Sequence, residues 1–215
     1  EYDKLMSFIG SEGTNAYTST DMTVYVEQIP SNQIENWARI QADRFMNPVL
    51  RGFHTELETV YEEKNMSLTE DFSKALETLD GMLFPDHPYG QQTVLGTQEH
   101  LKNPSITNIK NYHKTYYVPN NIAICLCGDF NPDQMIKVIE KYFGQMKPNE
   151  NLPEVSFTTS SVIETPIEKD VYGLDAEAIM IGWKYPGARS EDALIAEVAA
   201  NVLYNGSAGL IDLNV

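Results

Sequence analysis

Cysteine is nearly absent: 215 residues contain two, Cys125 and Cys127. Two thiols one residue apart make no disulfide framework, and with no second Cys or His pair they make no zinc site either. Long apolar runs are absent as well. Nothing approaches the ~18–20 residues of a membrane span, so no transmembrane segment is expected, and the first residues lack the pattern of a signal peptide. Positive charge is scarce, with 15 Lys and Arg against 31 Asp and Glu and a net charge of −16. The basic residues form no run, which excludes general binding to nucleic acid or anionic membrane. Also missing is any H-x-x-E-H or H-E-x-x-H spacing among His54, His87, His100 and His113. Each of the four therefore reads as a surface or loop histidine.

What remains is the composition of an ordinary globular protein, 42 % apolar and 21 % charged, long enough to bury a real core. The chain opens on the last turns of a helix closed by Gly10. It ends in an apolar segment beyond an amphipathic helix over 190–204, and so reads as a piece of a longer protein. Between these ends, Thr-, Val- and Tyr-rich sequence over 13–29 predicts strands. Ser31 is placed to cap a helix carrying Ile34, Trp37, Ala38 and Phe45. Further helices are expected over 52–68, through Phe72 to Leu83, over 97–103 and over 105–117. Ile122 to Cys127 reads as a short strand, with both thiols on one inward face. Asn131 then caps a helix with Pro132 in its first turn. The Pro- and Asn-rich stretch 147–153 is the candidate linker. After it, a strand over 178–183 and the 190–204 helix repeat the strand–turn–helix plan of 122–143.

The 53–68 helix carries four glutamates, which helical geometry sorts. Glu56 and Glu63 differ by about 20° around the axis and about 10 Å along it. Phe53, Leu57, Val60, Tyr61 and Leu68 define the apolar face, and the two glutamates are expected along its edge, partly buried, with Glu58 and Glu62 on the solvated side. A partly buried carboxylate needs a cation, a hydrogen-bond donor or a metal. The pattern alone leaves pairing with a nearby Lys or Arg open beside metal binding.

Several segments in order resemble one family. These are GTNAYTSTDMTVYVEQIP (13–30), F-x-x-E-x-x-x-V-x-x-E (Phe53, Glu56, Val60, Glu63), HPYG (87–90), L-G-T-x-E-x-L (95–101) and YYVPNN followed by GD (116–129). The series is similar to that of the insulinase, pitrilysin and mitochondrial processing peptidase family of inverted-motif zinc peptidases. The resemblance runs through about residue 146, with the remainder fitting more loosely the entry into that family's second domain. It implies an α+β fold, a mixed or antiparallel sheet backed by helices, with 1–150 the C-terminal part of a first peptidase-like domain. Residues 151–215 would then be the linker and the start of a related second domain.

The resemblance also implies site residues and partners. Glu63 matches the carboxylate ligand of zinc. Glu56 matches the second acidic position of the catalytic centre, orienting a ligand histidine or helping to bind the metal. Asn15, Ala16, Tyr17 and Thr18 resemble the strand that pairs with extended substrate, and Tyr25 the tyrosine that closes that strand pattern. In the family, H-x-x-E-H lies upstream of this strand. Its absence here implies a fragment of a zinc metalloendopeptidase that is inactive alone, holds no zinc tightly, and works with the remaining domains of its parent on unstructured peptides. The alternative is a non-catalytic structural or substrate-binding homologue. The wording is closest to large secreted or periplasmic bacterial members.

Overall fold

The computed structural model describes residues 2–157 and 162–214. They form two compact units, Glu1–Thr69 with Gln92–Thr158, and Glu70–Gln91 with Thr159–Val215. The class is α+β: helices dominate, and one two-stranded antiparallel sheet is present among the described residues.

In the first unit, α1 (Tyr2–Phe8) leads into β1 (Gly13–Thr18) and β2 (Thr23–Gln28). Gly10 makes the turn at φ 83°, where a side chain would be strained, and a Cβ there would press on Pro30 at 3.2 Å. The hairpin register sets Asn15 opposite Val26, Ala16 opposite Tyr25 and Tyr17 opposite Val24. Strand alternation therefore puts Thr14 and Ala16 on one face with Tyr25 and Glu27, and Asn15 and Tyr17 on the other with Val24 and Val26. α2 (Ile34–Met46) follows a 3-10 turn over Ser31–Gln33. Ser31 does not cap it. The Gln33 amide donates to Pro30 O within that turn, so the helix is entered through backbone contacts and no side chain caps it.

The core of this unit is one cluster, Met6, Ile9, Ile34, Trp37, Ala38, Ala42 and Phe143, drawn from α1, α2 and α8 (Pro132–Phe143). α8 begins as the sequence dictates, with Asn131 Oδ1 accepting from the Gln134 amide and Pro132 in the first turn. The 122–127 segment, expected as a strand, forms no ladder among the described residues. The two cysteines are exposed, and Leu126, on the other face, packs on the core. The thiols do not turn inward as expected, and Leu126 does so in their place. The bulkier Ile122 and Leu126 gain more by burial than two thiols do.

α3 (Phe53–Ser67) packs on α6 (Gln98–Lys102), and α7 (Ile106–Tyr116) follows Ser105, whose hydroxyl accepts from the Asn108 amide. Within the Pro/Asn-rich stretch, the Asn149 amide donates to Asn120 Oδ1, and its side chain donates to Thr115 O.

The second unit is built on α4 (Asp71–Leu83) and α5 (Pro88–Gln91), which approach so closely that a Cβ at Gly90 would strike the carbonyl oxygens of Asp80 and Phe84. The Asp71 carboxylate accepts from the amides of Leu174 and Asp175 and pairs with Lys74. The Lys74 hydrogen bond and these amides hold it below the usual carboxylate range. Residues 178–183, expected as a strand, form no ladder among the described residues, and Ile179 and Trp183 are exposed. α9 (Asp192–Leu203) matches the helix expected over 190–204.

Candidate functional site

The α3 carboxylates come first. Gly52, at φ 75°, turns the chain into the helix. Phe53, Leu57, Val60 and Tyr61 are half-buried, as the apolar pattern requires, but the centre of that face is Lys64, 4 % exposed. Its ammonium donates to Thr93 Oγ1 at 3.4 Å, and Asn65 beside it accepts from Gln98 at 2.6 Å. Glu56 and Glu63 lie about 80–100° around the axis from Lys64, on one flank, and Glu62 lies about 160° away.

All four glutamates are exposed, which corrects the expectation that Glu56 and Glu63 are partly buried. The face that packs on α6 is centred on Lys64 and Asn65, and nothing among the described residues covers the glutamate flank. Neither the Glu56 nor the Glu63 carboxylate has a hydrogen bond or an ion pair among the described residues, so neither is paired there with a nearby Lys or Arg.

As a metal donor set, the flank offers two carboxylates with no cation paired to them among the described residues. That suits the carboxylate position of a catalytic zinc, which takes three protein ligands and keeps a fourth position open. Among the described residues no three His, Cys, Asp or Glu side chains gather to hold a metal. His100, the histidine nearest in sequence to the α3–α6 contact, is spent on a capping box. Thr97 Oγ1 accepts from the His100 amide while His100 Nδ1 accepts from the Thr97 amide.

The second group is the hairpin. Asn15, Ala16, Tyr17 and Thr18 are exposed, and in the two-stranded sheet β1 pairs on one side only. Among the described residues no strand pairs with its outer edge, and the Ala16 amide donates to the neighbouring Asn15 Oδ1 at 2.8 Å. Tyr25 is half-buried behind it, its hydroxyl 3.1 Å from that of Tyr117 and its ring under the Arg44 guanidinium at 4.5 Å. Because Tyr25 stands opposite Ala16, these contacts fix the strand that carries Asn15 to Thr18. No hydrogen bond, ion pair or ring contact among the described residues joins the hairpin residues to Glu56 or Glu63.

Sequence reading missed the polar network beneath the hairpin. Glu27 accepts from Tyr2 at 2.7 Å, from Gln41 at 2.6 Å and from the Trp37 indole at 3.4 Å, while Arg44 also stacks on Tyr2 at 4.1 Å. The one available signal was the i, i+4, i+7 series Trp37, Gln41, Arg44 on α2.

Burial and the Tyr25 hydrogen bond push the Tyr117 hydroxyl up to about 12, and burial with the Glu27 carboxylate pushes Tyr2 up as well. An unfolded tyrosine titrates near 10. Both groups hold their protons more tightly when folded, so their contribution is complete below about pH 10 and is lost as pH rises, for Tyr117 between about 10 and about 12. We predict that tyrosinate absorbance in the folded protein lags that of the unfolded chain between these values. Tyr117→Phe should narrow the lag and free Tyr25.

Residues 105–212 match the family profile described as "Peptidase M16 inactive domain". The chain belongs to the peptidase M16 family. It is 24 % identical to zinc protease PqqE of Helicobacter pylori over 96 % of this chain and 47 % of that protein. To the probable mitochondrial-processing peptidase subunit beta of Schizosaccharomyces pombe it is 27 % identical over 63 % of this chain and 30 % of that one. Among solved structures, a protease from H. pylori superposes with a TM-score of 0.65 at 23 % identity, covering 73 % of this chain and 39 % of the other. The first half of the periplasmic protease PqqL from Escherichia coli gives 0.64 at 16 % identity, covering 74 % and 35 %. The chain thus spans about half or less of the length of these M16 relatives, which include periplasmic and mitochondrial-processing proteins. No described helix is long and apolar enough to cross a membrane.

Proposed function

We propose that these residues serve a zinc-dependent metalloendopeptidase in which Glu63 supplies the carboxylate ligand and Glu56 supports the metal site. In this reading β1 receives an extended peptide substrate. The observation that carries it is the flank of α3: two carboxylates two turns apart, unpaired, in a chain of the M16 family. Zinc in such a site polarises the scissile carbonyl and activates water for attack. The two histidines and the general base belong to an H-x-x-E-H motif, which these 215 residues do not contain.

The contribution of this chain is otherwise positional. β1 pairs with the substrate backbone by strand addition, so that affinity comes from main-chain hydrogen bonds, independently of the peptide's sequence. Arg44 and Tyr117 hold Tyr25, and through it the register of the strand. The likeness to a protease named as periplasmic supports the bacterial periplasm or secretion for this chain, beside relatives named as mitochondrial-processing peptidases.

Two measurements test the proposal. The 215-residue chain alone should retain no stoichiometric zinc after dialysis and cleave no peptide, whereas the full-length parent should do both. Tight zinc and chelator-sensitive cleavage by the chain alone would overturn the assignment, and a full-length parent without either would be the non-catalytic homologue. An unstructured peptide added to the chain should slow amide exchange at the outward-facing N–H groups of β1. Equal exchange with and without peptide would remove β1 from the substrate site.

A further inference from the structure

The first unit holds an open groove of about 420 Å3 where the end of α2, one face of α7 and the turn after α8 meet. This lies within the range of about 300–1,000 Å3 that ligand sites occupy. Lys110 and Lys114, one helical turn apart on α7, line one wall, and Lys147 reaches in from beyond α8. The floor is aromatic and thioether: Phe45 stacks on Tyr117 at 5.9 Å, and Met146 lies beside them. No Asp or Glu lines the groove, and none of the three lysines has an ion pair among the described residues.

That arrangement runs against the rest of the molecule. Acidic residues outnumber basic ones by 31 to 15, yet three of the lysines converge here uncompensated. Two lysines at i, i+4 on a helix repel, and a third cation brought to the same groove adds to the cost. A bound anion offsets it. His113, on the same helix face, is held below its usual range by burial, so its ring is neutral at pH 7 and serves as part of the floor.

We propose that this groove binds extended peptide segments rich in Asp or Glu, their carboxylates meeting Lys110, Lys114 and Lys147 and an apolar side chain lying on Phe45 and Met146. Peptide fits better than nucleic acid for two reasons. A chain of net charge −16 repels a long uniform polyanion, whereas a short acidic segment need match only the local charge. Methionine adapts to varied apolar side chains, as a site for unstructured polypeptide requires. The inference does not depend on the zinc site, because every residue it uses lies outside α3 and the hairpin.

The test is fluorescence anisotropy of the 215-residue chain with labelled peptides of about eight residues, all with one Phe, carrying four Glu, four Gln or four Lys. We expect the Glu peptide to bind at least about 10-fold more tightly than the other two in about 50 mM salt, and to lose most of that advantage near 0.5 M, where the Debye length falls below about 5 Å. Lys110→Gln with Lys114→Gln and Lys147→Gln should remove the preference without moving the melting temperature. The control pair Lys4→Gln with Lys137→Gln should retain it. Equal binding of the Glu and Gln peptides, or an unchanged preference in the triple variant, overturns the proposal. Displacement by tripolyphosphate at concentrations equal to the peptide would make this a small-anion site, and tighter binding of a single-stranded oligonucleotide would make it a nucleic-acid site. Either result defeats the peptide assignment.

Discussion

In the full-length metalloendopeptidase proposed above, Glu63→Gln is expected to abolish both zinc retention and chelator-sensitive cleavage while leaving the fold intact. An amide oxygen is neutral and a far poorer zinc ligand than a carboxylate. Glu63 is exposed and has no partner among the described residues, so its replacement should cost at most about 0.5 kcal/mol of stability. Glu56→Gln should lower metal affinity or rate by about 10–100-fold, as loss of a supporting group around a metal does. Glu62→Gln is the control. It is adjacent to Glu63 and chemically identical, but a helix turns about 100° between them and sends it to the side opposite Lys64. Bound zinc by atomic absorption, cleavage rate and melting temperature, measured on all three variants, separate ligand from bystander. Damage by Glu62→Gln in place of Glu63→Gln would mean that the other flank of α3 faces the metal.

The largest stability effect is expected at Glu27. Its carboxylate is the shared acceptor for Tyr2, Gln41 and Trp37, and Gln41 is 2 % exposed. Glu27→Ala removes the acceptor shared by Tyr2, Trp37 and Gln41 in a half-buried site, and leaves Gln41 only the Tyr2 hydroxyl to donate to. Buried hydrogen bonds to charged groups contribute about 1.5–3 kcal/mol, so the loss should be about 3 kcal/mol. Glu27→Gln keeps an acceptor oxygen and should lose about 1 kcal/mol. The chain has two tryptophans, Trp37 inside this network and Trp183 in the other unit. Urea unfolding followed by Trp37 fluorescence in a Trp183→Phe background therefore reports on the first unit alone. If the Ala variant were as stable as the Gln variant, the network would not be what seats the hairpin. The Ala variant should also weaken peptide protection of β1, since Tyr25 and Glu27 anchor the same strand.

Local patterns determined much of this protein. Helical spacing located α2, α3, α4, α7 and α8, because each carries apolar residues at 3.6-residue intervals that turn one face inward. It located α9 as well, although Leu194, Ile195, Val198 and Val202 on that helix are exposed. Asn131 and Ser105 set helix starts through hydrogen bonds to their own chain a few residues on, which need no tertiary partner. The resemblance to the zinc peptidases was also legible in residue order.

Tertiary structure decided the rest. Alternation in β2 offers two valines on one face and Tyr25 with Glu27 on the other. Gln41 and Arg44, distant in sequence, made the polar face the buried one and left Val26 exposed. The same holds for 122–127, where packing of Leu126 on the core chose which face turned inward, and for Lys64, a cation at the centre of an otherwise apolar face. Periodicity fixes which residues lie together on an element. Which of its faces is buried depends on partners tens of residues away, and those are known only when the chain has folded.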